Sequence, residues 1–283
     1  MHRVKFSARK TRKYSYEERI LLFLDLMGFK EIISRTVKAP DALARLITAL
    51  NDLREIGGGE RGGTKQVTQF SDSIVVSYRT TDESAAFWIM NEIAWTVIRL
   101  VERGYLLRGA VTVGDLYHTS EHMLGPAMVK AYKMETMDAK FPRVVIDPKL
   151  VSVARASPSP DHSPDDEEEY VRHFMTKDRD GQFYVDYVSW KSVVEIAGGD
   201  FDGYPRYLQL IGNLVENGLR HPDNKVVKKY LWLHKKYSTE IRNFEKEPKN
   251  SKFRIEESEV YDAVVALPKF DALASEARTR LDR

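Results

Sequence analysis

The residues Ile20, Leu21, Leu22, Phe23 and Leu24 form an unbroken apolar run that stops on a carboxylate, Asp25. A strand with one wet face alternates apolar and polar side chains. A run without alternation is the pattern of a strand covered on both faces. The run therefore predicts a buried strand. It also leaves Asp25 beside a core, where a charge is costly unless it is paired or bound to metal. The run is far short of the ~20 apolar residues that span a bilayer, so no membrane span is expected. Arg3, Lys5, Arg9, Lys10, Arg12 and Lys13 precede it, but the run is too short for a secretion leader and no small-residue cleavage site follows. Residues 1–15 read as a flexible basic tail, and a nucleic-acid or lipid contact would rest on that tail alone.

Downstream, Asp41 after Pro40 is the expected cap of a helix that carries Leu43, Leu46, Ile47, Leu50 and Leu53 on one face. Glycines at 57–59 and 62–63 stop it. Residues 66–78 read as a hairpin turning at Ser71 and Asp72. Asp82 is expected to cap a helix through Arg103, and Gly104 ends it. Residues 106–117 read as a strand with a bend at Gly114, and Asp115 as a turn residue. Gly125 and Pro126 open a helix to about residue 139. Residues 144–146 are a short strand and Pro148 starts a short helix. The acidic run 165–169, among Pro158, Pro160 and Pro164, reads as a mobile loop over 156–170. Residues 181–188 read as a strand, followed by helices near 203–218, 223–246 and 258–266. Hairpins mixed with strand–helix alternation predict an α+β fold: an antiparallel-rich sheet with helices on one face and a C-terminal helical extension.

Composition narrows the chemistry by subtraction. The 283 residues contain no cysteine, which removes disulfides, thiolate metal sites, iron–sulfur clusters and cysteine nucleophiles, and fits a cytoplasmic location. With 44 Lys+Arg against 42 Asp+Glu the net charge is +2, so nucleic-acid binding is not expected without a local basic surface. No H-E-x-x-H spacing occurs, and a zinc site is not expected. The glycine-rich stretch 58–65 approaches a P-loop, but Thr64-Lys65 stands where Lys-Ser/Thr is needed, and a strand follows instead of a helix.

The carboxylates carry the chemistry. Asp25 closes a buried strand just before a helix start, and Asp72 sits in a turn between strands. On neighbouring strand ends the pair can hold Mg2+ or Mn2+ together with water and phosphate oxygens. The N–H groups of Met27 to Lys30 would then form a phosphate cradle, with Gly28 allowing close backbone approach. The alternative is that Asp25 is an N-cap and Asp72 an ordinary turn residue.

Four stretches, in order, resemble class III nucleotide cyclases. Phe23-Leu24-Asp25-Leu26-Met27-Gly28-Phe29 matches that family's F-x-D-[IVL]-x-G-F signature, and Phe70-Ser71-Asp72-Ser73-Ile74-Val75 its second metal hairpin. Leu107-Arg108-Gly109-Ala110-Val111-Thr112-Val113-Gly114 resembles the R-x-G-x-x-x-G strand. Gly125 to Glu135 resembles the G-x-x-V-N-x-A-x-R-x-E helix, with Val129 at the Asn position and Lys133 at the Arg position. The purine-reading positions fall at Thr68 and near His122. That combination looks most like the bacterial pyrimidine cyclases of anti-phage defence.

The resemblance implies a palm-type, ferredoxin-like cyclase core over 16–155. Residues 171–283 would complete the sheet and form a dimer surface. It implies two divalent ions, Mn2+ or Mg2+, held by Asp25, Asp72 and the Leu26 carbonyl. It implies nucleotide contacts from Phe23, Leu26, Met27, Gly28 and Phe29, with Lys133 stabilising the α-phosphate. Arg108 would contact phosphate or pair with an acid, and Thr68 and His122 would face the pyrimidine. The implied reaction makes cyclic UMP from UTP in a homodimer with shared sites, for a cyclic-nucleotide-activated effector. Cytidylate cyclisation, a purine cyclase with an unusual base pocket, and a silent cyclase-like binding module are the alternatives.

Overall fold

The computed structural model describes residues 14–37, 39–56 and 63–282. Most of the predicted basic tail, and Gly58, Gly59 and Gly62 of the P-loop-like stretch, lie outside the described residues. The chain runs β1 (Glu17–Leu26), α1 (Phe29–Thr36), α2 (Pro40–Arg54), β2 (Gln66–Phe70), β3 (Ser73–Arg79), α3 (Ala85–Glu102), β4 (Leu107–His118), β5 (Met123–Leu124) and α4 (Pro126–Met137). It continues with β6 (Val144–Ile146), α5 (Lys149–Ala156), α6 (Pro164–His173), β7 (Met175–Lys177), β8 (Phe183–Val185) and a π-helical turn at Lys191–Ile196. The C-terminal extension is α7 (Tyr204–Leu219), α8 (Asn224–Glu245), α9 (Lys252–Glu256), α10 (Ser258–Val265) and α11 (Asp271–Leu281).

The strands form one sheet in the order β2-β3-β1-β4-β6-β8-β7, with β5 paired to the far end of β4. β1 is antiparallel to both β3 and β4, and β2 is antiparallel to β3. This is the split arrangement of a ferredoxin-like unit, in which each helical crossover passes over an antiparallel neighbour. Among the described strands, β4 and β6 alone pair in parallel, joined through β5 and α4; β7 and β8 extend the sheet antiparallel beyond them. The α+β, antiparallel-rich fold expected from the element order is present, with its C-terminal helices.

β1 is covered on both sides, as its unalternating sequence requires. Ile20, Leu22, Leu24 and Leu26 enter the main core with Leu46 and Leu53 of α2, Ile89 and Ile93 of α3, and residues of α7 and α8. Leu21 and Phe23 point the other way and pack with Val75, Leu116, and Ala127 and Ala131 of α4. Most helices thus share one face, and α4, with Met123 of β5, covers this second core. The strands approach closely at Gly109, where a Cβ would stand 2.3 Å from the Phe23 carbonyl oxygen.

Several local expectations are corrected. The acidic run is not a loop. Ser163 caps α6 and forms a reciprocal capping box with Asp166, Pro164 takes the first turn, and the carboxylates face the positive end of the helix dipole. Asp82 does not cap α3; its Oδ2 accepts from the Thr64 N–H and hydroxyl at 3.0 and 2.7 Å, and Ser84 stands at the N-cap. α2 begins at Pro40 itself, one residue ahead of Asp41. Asp115 is an exposed residue within β4, not a turn.

Replacing Gly109 with Ala forces a methyl group against the β1 backbone. The expected cost is about 1–3 kcal/mol, as for other overpacked core sites. It reads as a thermal unfolding midpoint lowered by several degrees, measured by circular dichroism; an unchanged midpoint contradicts the close approach.

Candidate active site

The C-terminal end of β1 brings three strands into line. Asp25 lies opposite Ser73 of β3 on one side and Arg108 of β4 on the other. The Ser73 hydroxyl donates to Asp25 Oδ1 at 3.0 Å, and Arg108 Nε donates to Oδ2 at 3.2 Å. Asp25 is therefore a strand residue held from both edges and not an N-cap. The β2–β3 turn docks beside it: the Leu26 N–H donates to the Asp72 carbonyl at 3.2 Å, and Ser71 takes a left-handed conformation with φ 52°.

Asp72 meets Asp25 side chain to side chain. Burial pushes the Asp72 carboxyl above its ordinary pKa, and the neighbouring negative charge of Asp25 pushes it the same way. Arg108 is the nearest cation and is shared. Its Nε lies 2.6 Å from Glu135 Oε1 on α4, closer than to Asp25. Glu135 is buried, and burial raises its pKa against the pull of Arg108. Lys229 of α8 faces the same group; burial chiefly, and then Arg108, lower its ammonium pKa. Glu135 and Lys229 were not singled out from sequence. Glu135 closes the quoted helix motif, which was its available signal. Lys229 lies in a lysine-rich stretch that reads as a solvated face.

Two carboxylates that meet side chain to side chain, both hard oxygen donors, fit a small divalent cation. Among the described residues no group of three or more His, Asp or Glu side chains is placed to hold a metal. The aspartate pair would therefore leave the remaining coordination to the backbone, water or a ligand. At the start of α1, Gly28 has φ 76° with open space around it. Its need is for a left-handed backbone, not for close packing. The Met27 N–H is not part of a cradle, because it donates to the Leu106 carbonyl at 2.9 Å. The N–H groups of Gly28, Phe29 and Lys30 have no acceptor among the described residues and remain available to an anion.

The other expected site residues lie elsewhere. Phe23 is buried in the second core, edge-on to Tyr132, so its side chain packs under α4 and offers no surface to a nucleotide. Leu26 is buried in the main core, and Met27 and Phe29, both partly buried, pack against it, so their side chains anchor the loop. Lys133 is exposed on α4 and forms no ion pair with Asp25 or Asp72. His122 is exposed in the β4–β5 turn, at the opposite end of β4 from Arg108. It lines a cavity of about 450 Å³ with Tyr14, Ser15, Tyr16, Tyr117 and Leu124. Thr68 is half-buried on the sheet face that carries Asp25, and its hydroxyl lies 2.8 Å from His118 Nε2. One chain thus brings Asp25, Asp72 and Arg108 together, and leaves Lys133 and His122 apart from them. No helix among the described residues is long and apolar enough to cross a membrane.

No family model and no curated protein matches the sequence. Among solved structures, the adenylyl cyclase CyaB from P. aeruginosa superposes with a TM-score of 0.40 and 16% identity, over 50% of this chain and 82% of that one. The guanylyl cyclase domain of the RhoGC fusion protein from Blastocladiella emersonii gives 0.42 and 20%, over 60% of this chain and 95% of that one. A bacterial light-regulated adenylyl cyclase gives 0.41 and 12%, over 71% and 100%. With similarity at this level, any functional reading rests on the chain's own residues.

The raised pKa of Asp72 has a definite sign in stability. Its carboxyl holds a proton more tightly when folded than when unfolded, so this group's contribution is most favourable below the ordinary Asp range near 4 and is lost as pH rises through the folded value. Metal-free Asp72→Asn is therefore expected to melt above wild type at neutral pH. The gap should close on acidification to below about pH 4, as followed by thermal unfolding in a chelator. A variant less stable than wild type at neutral pH refutes the like-charge pair.

Proposed function

We propose that this protein is a nucleotide cyclase acting on a pyrimidine nucleoside triphosphate, with UTP converted to 3′,5′-cyclic UMP and pyrophosphate. The observation that supports this most is the Asp25–Asp72 pair. Two strand ends, each within a stretch that resembles a cyclase metal motif, carry carboxylates that face one another at the mouth of a helix start. Bound there with the Leu26 carbonyl, divalent ions would lower the pKa of the ribose 3′-hydroxyl and neutralise the triphosphate.

The chain's own groups do the positioning. The free N–H groups of Gly28, Phe29 and Lys30 face outward at the start of α1, where an anion is favoured. Arg108, itself paired with Glu135 of α4, holds the Asp25 carboxylate in place. Attack of the 3′-oxygen on the α-phosphorus forms one P–O bond as the bond to pyrophosphate breaks. Alignment and charge stabilisation supply the acceleration.

A homodimer completes the site in this reading. Lys133 and His122 are exposed and stand away from Asp25, so they serve the pocket of a second copy. The outer face of α4 supports an interface: Val129 is 71% exposed, Tyr132 58% and Met137 54%, at helical spacing around Lys133. The resemblance further implies second-messenger synthesis in anti-phage defence, read by a cyclic-nucleotide-activated effector.

Incubation with each nucleoside triphosphate and Mn2+ is expected to yield cyclic UMP from UTP. Asp25→Ala or Asp72→Ala should lower the rate at least about a hundredfold, the scale for loss of an electrostatic catalytic group. Asp72→Ala and Lys133→Ala, each inactive alone, should regain about a quarter of wild-type activity when mixed and reassorted, because half the dimers carry one intact site. No product from any triphosphate supports a silent binding module instead, and products from ATP or GTP alone overturn the pyrimidine reading.

A further inference from the structure

Lys229 stands at the carboxylate cluster although it belongs to the C-terminal extension, and a separate anchor fixes it there. Arg143 is fully buried; its Nη2 donates to the Asp138 carbonyl at the end of α4 at 2.9 Å, and its Nη1 to Asp178 Oδ2 at 2.5 Å. Asp178, in the turn between β7 and β8, also accepts from Trp232 Nε1 at 2.6 Å and Lys236 Nζ at 3.1 Å, both on α8. Asp178 thus ties α8 to the end of α4. Lys229, Trp232 and Lys236 share one stripe of α8, at i, i+3 and i+7. One turn before this anchor on each helix, Lys229 of α8 faces Glu135 of α4. The head of α8 lies against α1: His221 Nε2 is 3.2 Å from Glu31 Oε1, and Tyr230 faces Glu31 and Arg35. Lys229 is therefore held between α4 and the start of α1.

Both cations of this cluster have open donors. The Arg108 Nε–H goes to Asp25, with Glu135 against the same nitrogen, and neither Nη group donates to a described residue. Lys229 is half-buried, and its ammonium forms no hydrogen bond or ion pair with a described residue. Holding it partly out of water beside a guanidinium is unfavourable. Its nearest carboxylates, Glu135 and Asp25, are both engaged by Arg108. An anion with several oxygens supplies what the two cations lack: it accepts from the planar guanidinium fork and from the ammonium at once. A phosphate chain is such an anion, and the free N–H groups at the start of α1 favour it from the other side. Asp25 and Asp72 repel it unless divalent ions lie between, so the arrangement suits a metal-bound polyphosphate and not a bare anion.

We infer that Lys229 is a polyphosphate-binding residue contributed by the C-terminal extension, and that with Arg108 it receives the phosphate chain of a nucleoside triphosphate in the same subunit as Asp25 and Asp72. The inference rests on the nucleotide reading above and deepens it. Residues 171–283 then serve the site directly, beyond completing the sheet and forming a dimer surface. Lys229 touches the substrate; Arg143, Asp178, Trp232 and Lys236 hold α8 against α4 and do not.

Calorimetric titration of the full chain tests this without relying on turnover. The probes, each in saturating Mn2+, are tripolyphosphate, which has no base or sugar, and 3′-deoxy-UTP, which cannot cyclise. Lys229→Met should weaken both at least about tenfold, the scale for one hydrogen bond to a charged group. Lys229→Arg should recover most of that loss. Lys229→Gln gives the same comparison if the methionine variant fails to fold. Equal binding of both probes by wild type and Lys229→Met overturns the inference and leaves the nucleotide reading standing. A loss seen with 3′-deoxy-UTP and not with tripolyphosphate places Lys229 at the sugar or base and overturns the phosphate assignment. Lys229-dependent binding of tripolyphosphate with no binding of 3′-deoxy-UTP overturns the nucleotide reading while the polyphosphate site stands. Binding of neither probe by wild type overturns both.

Discussion

Everything in this molecule is arranged around a strand that cannot reach water on either side. β1 is hydrogen-bonded along both edges and packed on both faces, with α2 and α3 behind it and α4 in front. Such a strand has few places for charge. Arg19 and Asp25 occupy its two ends, on the same face, and each is held by partners from flanking strands. The polar groups are tolerated there because the neighbours satisfy them, and those neighbours build two polar clusters, of which the one at Asp25 carries the functional reading.

The two clusters handle charge differently. Around Arg19 every guanidinium nitrogen has an acceptor, and the hydrogen bonds run on through Ser77 and His118 to Thr68. Around Asp25 the accounting stays open. One guanidinium serves both Asp25 and Glu135, and Asp72 meets another carboxylate. A structure optimised for stability alone would not keep like charges together at a strand end. Local inconsistency of this kind, inside a consistent fold, is expected where a site awaits a charged ligand.

Much of this could be read from sequence because the signals were local. The unalternating run at 20–24 announced β1, and Ser71-Asp72 between β-rich segments announced the hairpin that carries the second carboxylate. What escaped reading depends on contacts between distant residues or on competing local signals. The prolines and acidic residues at 158–169 suggested a loop, although Ser163 and Asp166 carry the spacing of a capping box. Asp82 looked like a helix cap but is taken by Thr64, a pairing no window around either residue displays. His118 had no pattern pointing to Ser77 or Thr68, because the three residues lie on β4, β3 and β2 and meet only across the sheet. Lys229 reaches the carboxylates only because α8 packs onto the core.

β1 also acts as a ruler. Arg19 and Asp25 are six residues apart on one straight, doubly bonded strand, which sets them roughly 20 Å from one another at about 3.3 Å per residue. A strand pinned on four sides does not stretch or slide by one residue without turning its whole apolar set toward the wrong face. The spacing between the donor end and the carboxylate end is therefore a constant of the fold. In a two-fold pair the same ruler is laid down twice in opposite senses. Any tilt of one copy against the other then changes both pockets together and by the same amount, so the geometry of assembly, and not flexing within a subunit, becomes the variable through which such a pair is tuned.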